Sequence, residues 1–563
     1  MDKDNFLLAV VLSIGILVGF HYFYEKPQME RYAQEQLAKK LEAEKPAAPV
    51  VEKKEDRAAI IAEGQRLPIQ TPDVKGSINL MGGRIDDLQL EKYRETVDPS
   101  SPQITLLSPA GSAVPFLPTF ASFGWLGEGV AAPSDATLWK TDAKELGVGA
   151  PVKLTWDNGQ GVLFERTIAV DDHYMFTITD RVTNKEAAPV TLYPFGAVAR
   201  HGVPPDTRNI YIMHEGPLGV LGGTLKEAKY KDLFANPHVS FDTEGGWLGI
   251  TDKYWLVSLV LSPEDKGTAS FTYDRNNEEK PENGIFQTDF RGSPLSLAPG
   301  ASAEHVFRLF AGAKQVRLLD RYADQYNIPL FDRAIDFGWY YYLTKPFLYL
   351  LDFLGKATGN YGIAILIFTI LLKTLTLPLS MKSYRSMAKM KALQPQMKAL
   401  QDRFKDDKAR LSQETMELYK REKVSPLSGC LPNLIQIPIF FALYKVLYVG
   451  LELRQAPLFG WIHDLSVPDP TSVLSGFGAL DWSFIPQIGV WPILMGLSMF
   501  AQQRLSPQPP DKSQAQAMNF LPLIFTFMMA KVAAGLIFYW TFSNLLGLAQ
   551  QWLIMHKIVA KKA

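Results

Sequence analysis

Long apolar stretches are unevenly placed along this 563-residue chain: one stands at the start and the rest in the last third. The first covers residues 6–20 and continues through the aromatic positions His21 to Tyr24. About 18 to 20 helical residues at ~1.5 Å each just span a hydrocarbon core of ~30 Å, so the run predicts a membrane helix. A cleaved signal peptide has a similar outline. Two aspartates accompany the single lysine of residues 1–5, however, and no A-x-A site follows, which favours an uncleaved anchor over 1–24. The later stretches are 361–379, 430–449, 484–500 and 520–554. The last is too long for one span, and Lys531 with Ala533-Ala534-Gly535 divides it. Spans are therefore expected at about 361–380, 430–449, 484–502, 517–532 and 534–555, six in all with the first.

Between these stretches the pattern is of two kinds. Residues 25–66 are rich in Glu, Lys, Ala, Gln and Pro, which predicts a flexible tether. From 67 to 330 the period falls to two. Residues 152–156, Asn158-Gly159 and 162–170 read as a hairpin with a glycine turn. Tyr174, Phe176, Ile178, Asp180 and Val182 share one face of a further strand. Segments 255–261, 269–273 and 305–311 continue the series. Short strands with turn signals and no intervening helices predict an antiparallel β-sandwich.

Residues 331–356 differ again. Nine aromatics crowd 331–355, where Asp332, Asp336, Lys345, Pro346 and Asp352 disfavour a seventh span. An amphipathic helix lying at a membrane interface is expected there.

Charge orients the spans. Overall, 58 basic and 58 acidic residues cancel, so nothing pulls the whole chain toward nucleic acid. Residues 381–429 hold twelve Lys/Arg against six Asp/Glu, whereas 450–482 hold one arginine against four acids. The positive-inside rule puts the first loop in the cytoplasm and the second outside. Both termini then lie inside, with a short basic tail over 557–563, and the β domain is periplasmic in a two-membrane bacterium.

Lys373 is the most informative single residue. A lysine at mid-span costs about 2.5–3.5 kcal/mol on insertion scales, so it should face a bundle interior or water. Thr369 and Thr376 share its helical face. Asn433 and Gln436 in the next stretch, and Asn544 in the last, supply polar partners. Two readings follow. Lys373 snorkels toward the cytoplasmic boundary marked by Lys382 and Arg385, or it lines a wet cavity. In a cavity, an unpaired cation would attract an acidic or polar segment from outside.

The basic loop is patterned too. Met387, Met390, Leu393, Met397, Leu400 and Phe404 recur at coiled-coil spacing, and Leu411 and Leu418 resume seven apart beyond Asp406-Asp407. A helical hairpin over 381–429 fits. Its methionine face either packs on itself or binds varied apolar segments.

Enzyme signatures are weak. Ser386-Met387-Ala388-Lys389 matches S-x-x-K without its companion motifs. No P-loop is present. The single cysteine, Cys430, permits no intrachain disulfide and no paired-cysteine zinc site. His173, His201, His214, His238 and His305 are scattered through the β region. No cofactor or metal is expected.

The last two hundred residues resemble the YidC/Oxa/Alb insertases. The resemblance rests on Thr369-Ile370-Leu371-Leu372-Lys373 with Pro378-Leu379, on Ser386-Met387-Ala388-Lys389-Met390 and on Leu393-Gln394-Pro395. Asn433 through Phe440, Leu451 through Pro457, Trp461 through Leu465, Pro492 through Gly496 and Ser543-Asn544-Leu545 continue it in order. The large N-terminal extension resembles the Gram-negative form. The resemblance implies a groove open to the cytoplasm and lipid but closed outside, and a sugar-binding-like β-sandwich in the periplasm. It also implies insertion of nascent membrane proteins alone or beside the Sec translocon. Its groove cation is usually arginine, and here Lys373 holds that place, with loss of bidentate geometry. Tyr539 and Trp540 stand where relatives carry aromatics. The tail after Ile558 is short, so ribosome contact is expected to be weak or transient.

The expected architecture is a polytopic α-helical inner-membrane protein with six spans, a periplasmic antiparallel β-sandwich and a cytoplasmic helical hairpin. It contacts substrates and lipids but no nucleic acid. Two rivals stay open on the residues alone. A sugar-active enzyme on an anchor would need clustered carboxylates or histidines in the β region. A solute transporter would show internal repeats, and none is evident.

Overall fold

The computed structural model describes residues 55–204, 213–276, 278, 280–404, 407–422, 424, 431–471, 488–505 and 512–560. The expected first span, most of the tether and residues 561–563 of the terminal tail fall outside them. The chain divides into two compact units. One comprises Val50–Tyr349 with Tyr448–Gln455, and the other contains Leu350–Leu447 and Ala456–Ala563.

The first unit is a sixteen-stranded β structure in which every strand-to-strand pairing among the described residues is antiparallel. The strand Val190–His201 sits centrally, between Thr119–Glu128 and Ile285–Gly292. From Ile285–Gly292 the order runs through Trp255–Asp274, Ser302–Ala313, Met175–Asn184, Val162–Val170 and Val152–Asp157. The expected hairpin forms, with Val152 opposite Ile168. Alternation decides which face is covered: Phe176, Ile178, Asp180 and Val182 are all buried. The expected strands at 255–261 and 269–273 are instead one strand, Trp255–Asp274. It pairs with Ser302–Ala313 through its first half and with Ile285–Gly292 through its second, so the polar Pro263–Gly267 stretch is carried between two partners rather than released as a turn.

Among the described residues this unit contains α1 (Arg57–Glu63), α2 (Tyr230–Ala235) and α3 (Val316–Tyr326). Residues 55–66 of the expected tether are thus part of the folded unit. Glu55 donates its N–H to the Gly111 carbonyl, and Arg57 pairs with Asp87 and lies over the Phe116 ring.

The helix expected over 331–356 is shorter than that. A 3-10 turn covers Phe331–Ala334, and α4 begins at Tyr341 and runs to Thr358. Gly338, at φ 68°, takes the left-handed conformation that a helix cannot continue through. Lys345 in the first turns bonds Asp320 at 2.9 Å and Asp332 at 2.7 Å.

The second unit is helical. It contains α5 (Tyr361–Leu375), α6 (Leu377–Arg403), α7 (Lys408–Arg421), α8 (Leu431–Val449), α9 (Val490–Leu505), α10 (Lys512–Met529) and α11 (Ala534–Ala560). The expected continuous span at 361–380 is broken: α5 and α6 meet at a 64° bend. Pro378 in the first turn of α6 has no N–H to give and crowds the carbonyl four residues earlier, so the helix must restart. No single described helix is both long and apolar enough to cross a membrane, though the bent α5–α6 pair meets length and composition together. On α6, Met387, Leu393 and Met397 are buried, and the Tyr419 hydroxyl on α7 reaches the Met397 sulfur at 3.3 Å.

Candidate functional site

A cavity of about 410 Å³ opens in the helical unit, lined from α5, α6, α8, α9, α10 and α11. Lys373, one turn before the bend, contributes its ammonium, and Thr376 lies below it. Gln436 of α8 donates to the Tyr539 hydroxyl of α11 at 2.5 Å. Asn544, buried on α11, donates to Ser498 of α9 at 3.0 Å, and Ser498 in turn donates to the Met495 carbonyl at 2.6 Å. Trp540 packs edge-on against Phe440 and Phe525, at centroid distances of 4.6 and 5.4 Å. These rings and Ile435, Ile437 and Met499 form apolar walls around a polar floor.

Gly547 keeps that floor open. A Cβ added there would stand 3.1 Å from Gln502 Nε2, 3.7 Å from the Tyr384 hydroxyl and 3.9 Å from Lys373 Nζ. Polar atoms from three other helices thus converge on one recess in α11. No Asp or Glu lines the cavity, and among the described residues no carboxylate pairs with Lys373. Gln503 Oε1 and Gln551 Nε2, both on the lining, are buried without a hydrogen-bond partner among the described residues. Such groups are costly to leave unmatched, about 1–3 kcal/mol each, which favours a polar occupant.

Of the residues singled out in the sequence, Lys373, Thr376, Gln436, Tyr539, Trp540, Asn544 and Met387 come together on the lining. Thr369 does not. It is fully buried one turn deeper, and its hydroxyl donates back to the Ile365 carbonyl at 2.6 Å. Asn433 lies in α8, but its side chain is outside the described residues. Met390, Leu393 and Met397 are not on the lining. Ser380, Tyr384, Gln502 and Gln503 were missed as lining. At helix ends such residues read as the return to water, and only the packing shows that they turn inward.

The β unit offers a contrast. Its scattered histidines stay apart, and no group of three or more potential metal ligands forms among the described residues. His214, buried, has its pKa pushed down to about 4 by desolvation. His305 faces Asp265 at 3.0 Å and His173 faces Asp73 at 2.9 Å, each as a pair.

The fold combines an antiparallel β domain with a helical unit that holds an apolar-walled cavity carrying a cation. Comparison with known proteins narrows the class. Residues 66–350 match the YidC periplasmic domain, and residues 353–562 match the 60Kd inner membrane protein family. The membrane protein insertase YidC of Methylobacterium nodulans is 46% identical over 584 residues, covering 99% of this chain and 95% of that protein. Its counterpart in Nitrobacter hamburgensis is 46% identical over 588 residues, with 99% and 95% covered. A crystal structure of an active YidC insertase with its first transmembrane domain resolved is 18% identical, with 86% of this chain and 91% of that chain covered at a TM-score of 0.36. The chain belongs to the YidC family of membrane protein insertases: an inner-membrane protein with a periplasmic β domain, in a family of insertases and not of enzymes.

Proposed function

We propose that this chain inserts and folds integral membrane proteins in the inner membrane, alone or beside the Sec translocon, using the Lys373 cavity as a hydrophilic way station. The observation that carries the reading is the cavity itself: a cation with no acidic partner, a polar floor and aromatic walls. A polar substrate end exchanges water for Lys373, Gln436 and Asn544 and crosses a shortened path. The apolar segment then leaves sideways along α8 and α10, driven by burial in lipid.

The same reading gives six spans with both termini cytoplasmic. The α6–α7 pair, with Met387, Met390, Leu393 and Met397, forms a cytoplasmic hairpin that receives the emerging substrate. Lipid contacts the exposed helix faces, ribosome contact is weak or transient, and no cofactor takes part. Liposome reconstitution with a small single- or double-spanning substrate tests the reading. Protease-protected fragments that depend on this protein are expected. Equal protection in empty liposomes would reject autonomous insertion.

A further inference from the structure

Segment 456–471 lies against the starts of three helices in the helical unit. At α5, the N-cap residue Asn360 donates through Nδ2 to the Leu458 carbonyl at 2.8 Å. At α11, the carbonyls of Val467 and Leu465 accept from the N–H groups of Ala534 and Gly535 at 2.7 and 3.0 Å. At α9, Asp469 Oδ2 accepts the N–H of Trp491 at 2.9 Å. The other oxygen, Oδ1, accepts from Trp461 Nε1 at 3.1 Å and from the Thr471 N–H and hydroxyl at 3.0 and 2.6 Å. Thr471 Oγ1 in turn accepts from the Val490 N–H at 3.0 Å. Helix starts leave N–H groups without internal partners and carry partial positive charge, so the acceptors at α9 and α11 meet a need.

A glycine at or beside each of the three helix starts lies close against the segment. A Cβ at Gly362 would stand 2.1 Å from Leu458 Cδ1, one at Gly489 2.5 Å from Asp469 Cγ, and one at Gly535 3.1 Å from the Leu465 carbonyl oxygen. The segment also closes on itself, with Leu458 N–H to Ile462 and Leu465 N–H to Ala456 at 3.0 and 2.9 Å. Trp491 and Phe538, one residue or a few inside α9 and α11, meet edge to face at 4.9 Å.

Helices α5, α9 and α11 are the ones that bring Lys373, Gln502 and Tyr539 to the cavity. We infer that Asp469 is a positioning residue for insertion: through the 456–471 clasp it fixes the spacing of the three helices whose side chains form the groove. The inference rests on the insertase reading for its effect on activity, but the helix spacing is measurable without it.

The test uses the full chain in liposomes, with Cys430→Ser and spin labels at the exposed positions Leu371 of α5 and Leu497 of α9. In Asp469→Ala the distance distribution between the labels shifts and broadens, and insertion falls at least about tenfold, as expected for loss of several bonds to a charged acceptor. Trp461→Phe removes one of the four donors and keeps a ring, so its effect is smaller in both readouts. Thr471→Val cuts the bridge to Val490 and stands in if Asp469→Ala does not accumulate. An unchanged distance distribution in Asp469→Ala would overturn the inference. So would a changed one with insertion at the parent rate. A parent that gives no protected fragments would instead count against the insertase reading, and the distances would still decide whether Asp469 sets the spacing.

Discussion

Two buried cations, one in each unit, are treated in opposite ways. In the β unit, Arg166 is fully buried and completely matched: it pairs with both oxygens of Asp180 at 2.6 and 2.8 Å, donates to the Gly83 and Phe123 carbonyls and lies 4.9 Å over Trp139. Arg200 does the same with Asp252 at 2.5 and 2.8 Å, and Arg66 pairs with Asp86. In the helical unit Lys373 faces a cavity lined by no acid. Satisfied charge specifies one packing and gives nothing to a visitor. Unsatisfied charge costs stability and leaves an interaction for something that arrives later. The first arrangement holds a shape, and the second leaves room for the substrate that the proposed function requires.

The comparison breaks hardest at Arg166. Arg166→Met strands Asp180 in the core and should destabilise the β unit by about 3–5 kcal/mol, seen as a lowered first unfolding transition of the full chain in calorimetry. If insertion at permissive temperature falls in proportion, the division of labour between the units is wrong.

Acid provides the next test. His214 is neutral in the fold, with its pKa down from 6.5 to about 4. The unfolded chain takes up the proton first, so this contribution is intact above pH ~6.5 and is lost as pH falls toward ~4, by about 3 kcal/mol at most. His214→Asn should flatten that limb of the unfolding-versus-pH curve. An unchanged slope would assign the acid sensitivity elsewhere.

At the groove, Lys373→Glu should cut insertion of substrates with acidic tails by roughly 100-fold, equivalent to about 2.7 kcal/mol, and of uncharged-tail substrates much less. Equal insertion of both would remove the electrostatic step. The smallest expected change is Gln436→Leu, which deletes the bond to Tyr539 and should slow insertion about threefold, in line with ~0.6 kcal/mol for a typical bond between membrane helices. A loss as large as that of Lys373→Glu would mean that Gln436 contacts substrate directly.

Much of this was readable from the residues, and the failures have physical causes. Alternation along 174–182 identified the face that is buried, including Asp180, because period two is set by the pleat. It could not name Arg166 as the partner, since a pattern shows which face is covered and not what covers it. Lys373 stood out because its cost in a span demands a reason. Thr369 was misjudged because a threonine that bonds its own helix has the same spacing as one that lines a cavity. Pro378 announced the bend after α5, but apolar residues on both sides carried the expected span through it. The clasp at 456–471 was unreadable in advance: part of it works through backbone carbonyls, and an aspartate in a loop has the pattern of any solvated acid.

The Arg166–Asp180 pair also bears on how this chain tolerates change. Removing either partner leaves a bare charge in the core, whereas exchanging both for apolar side chains of similar volume is often near neutral. A library that varies one position at a time would score both as immutable, and one that varies them jointly would find them negotiable. The same holds for drift between lineages: the two positions are free to move only in step.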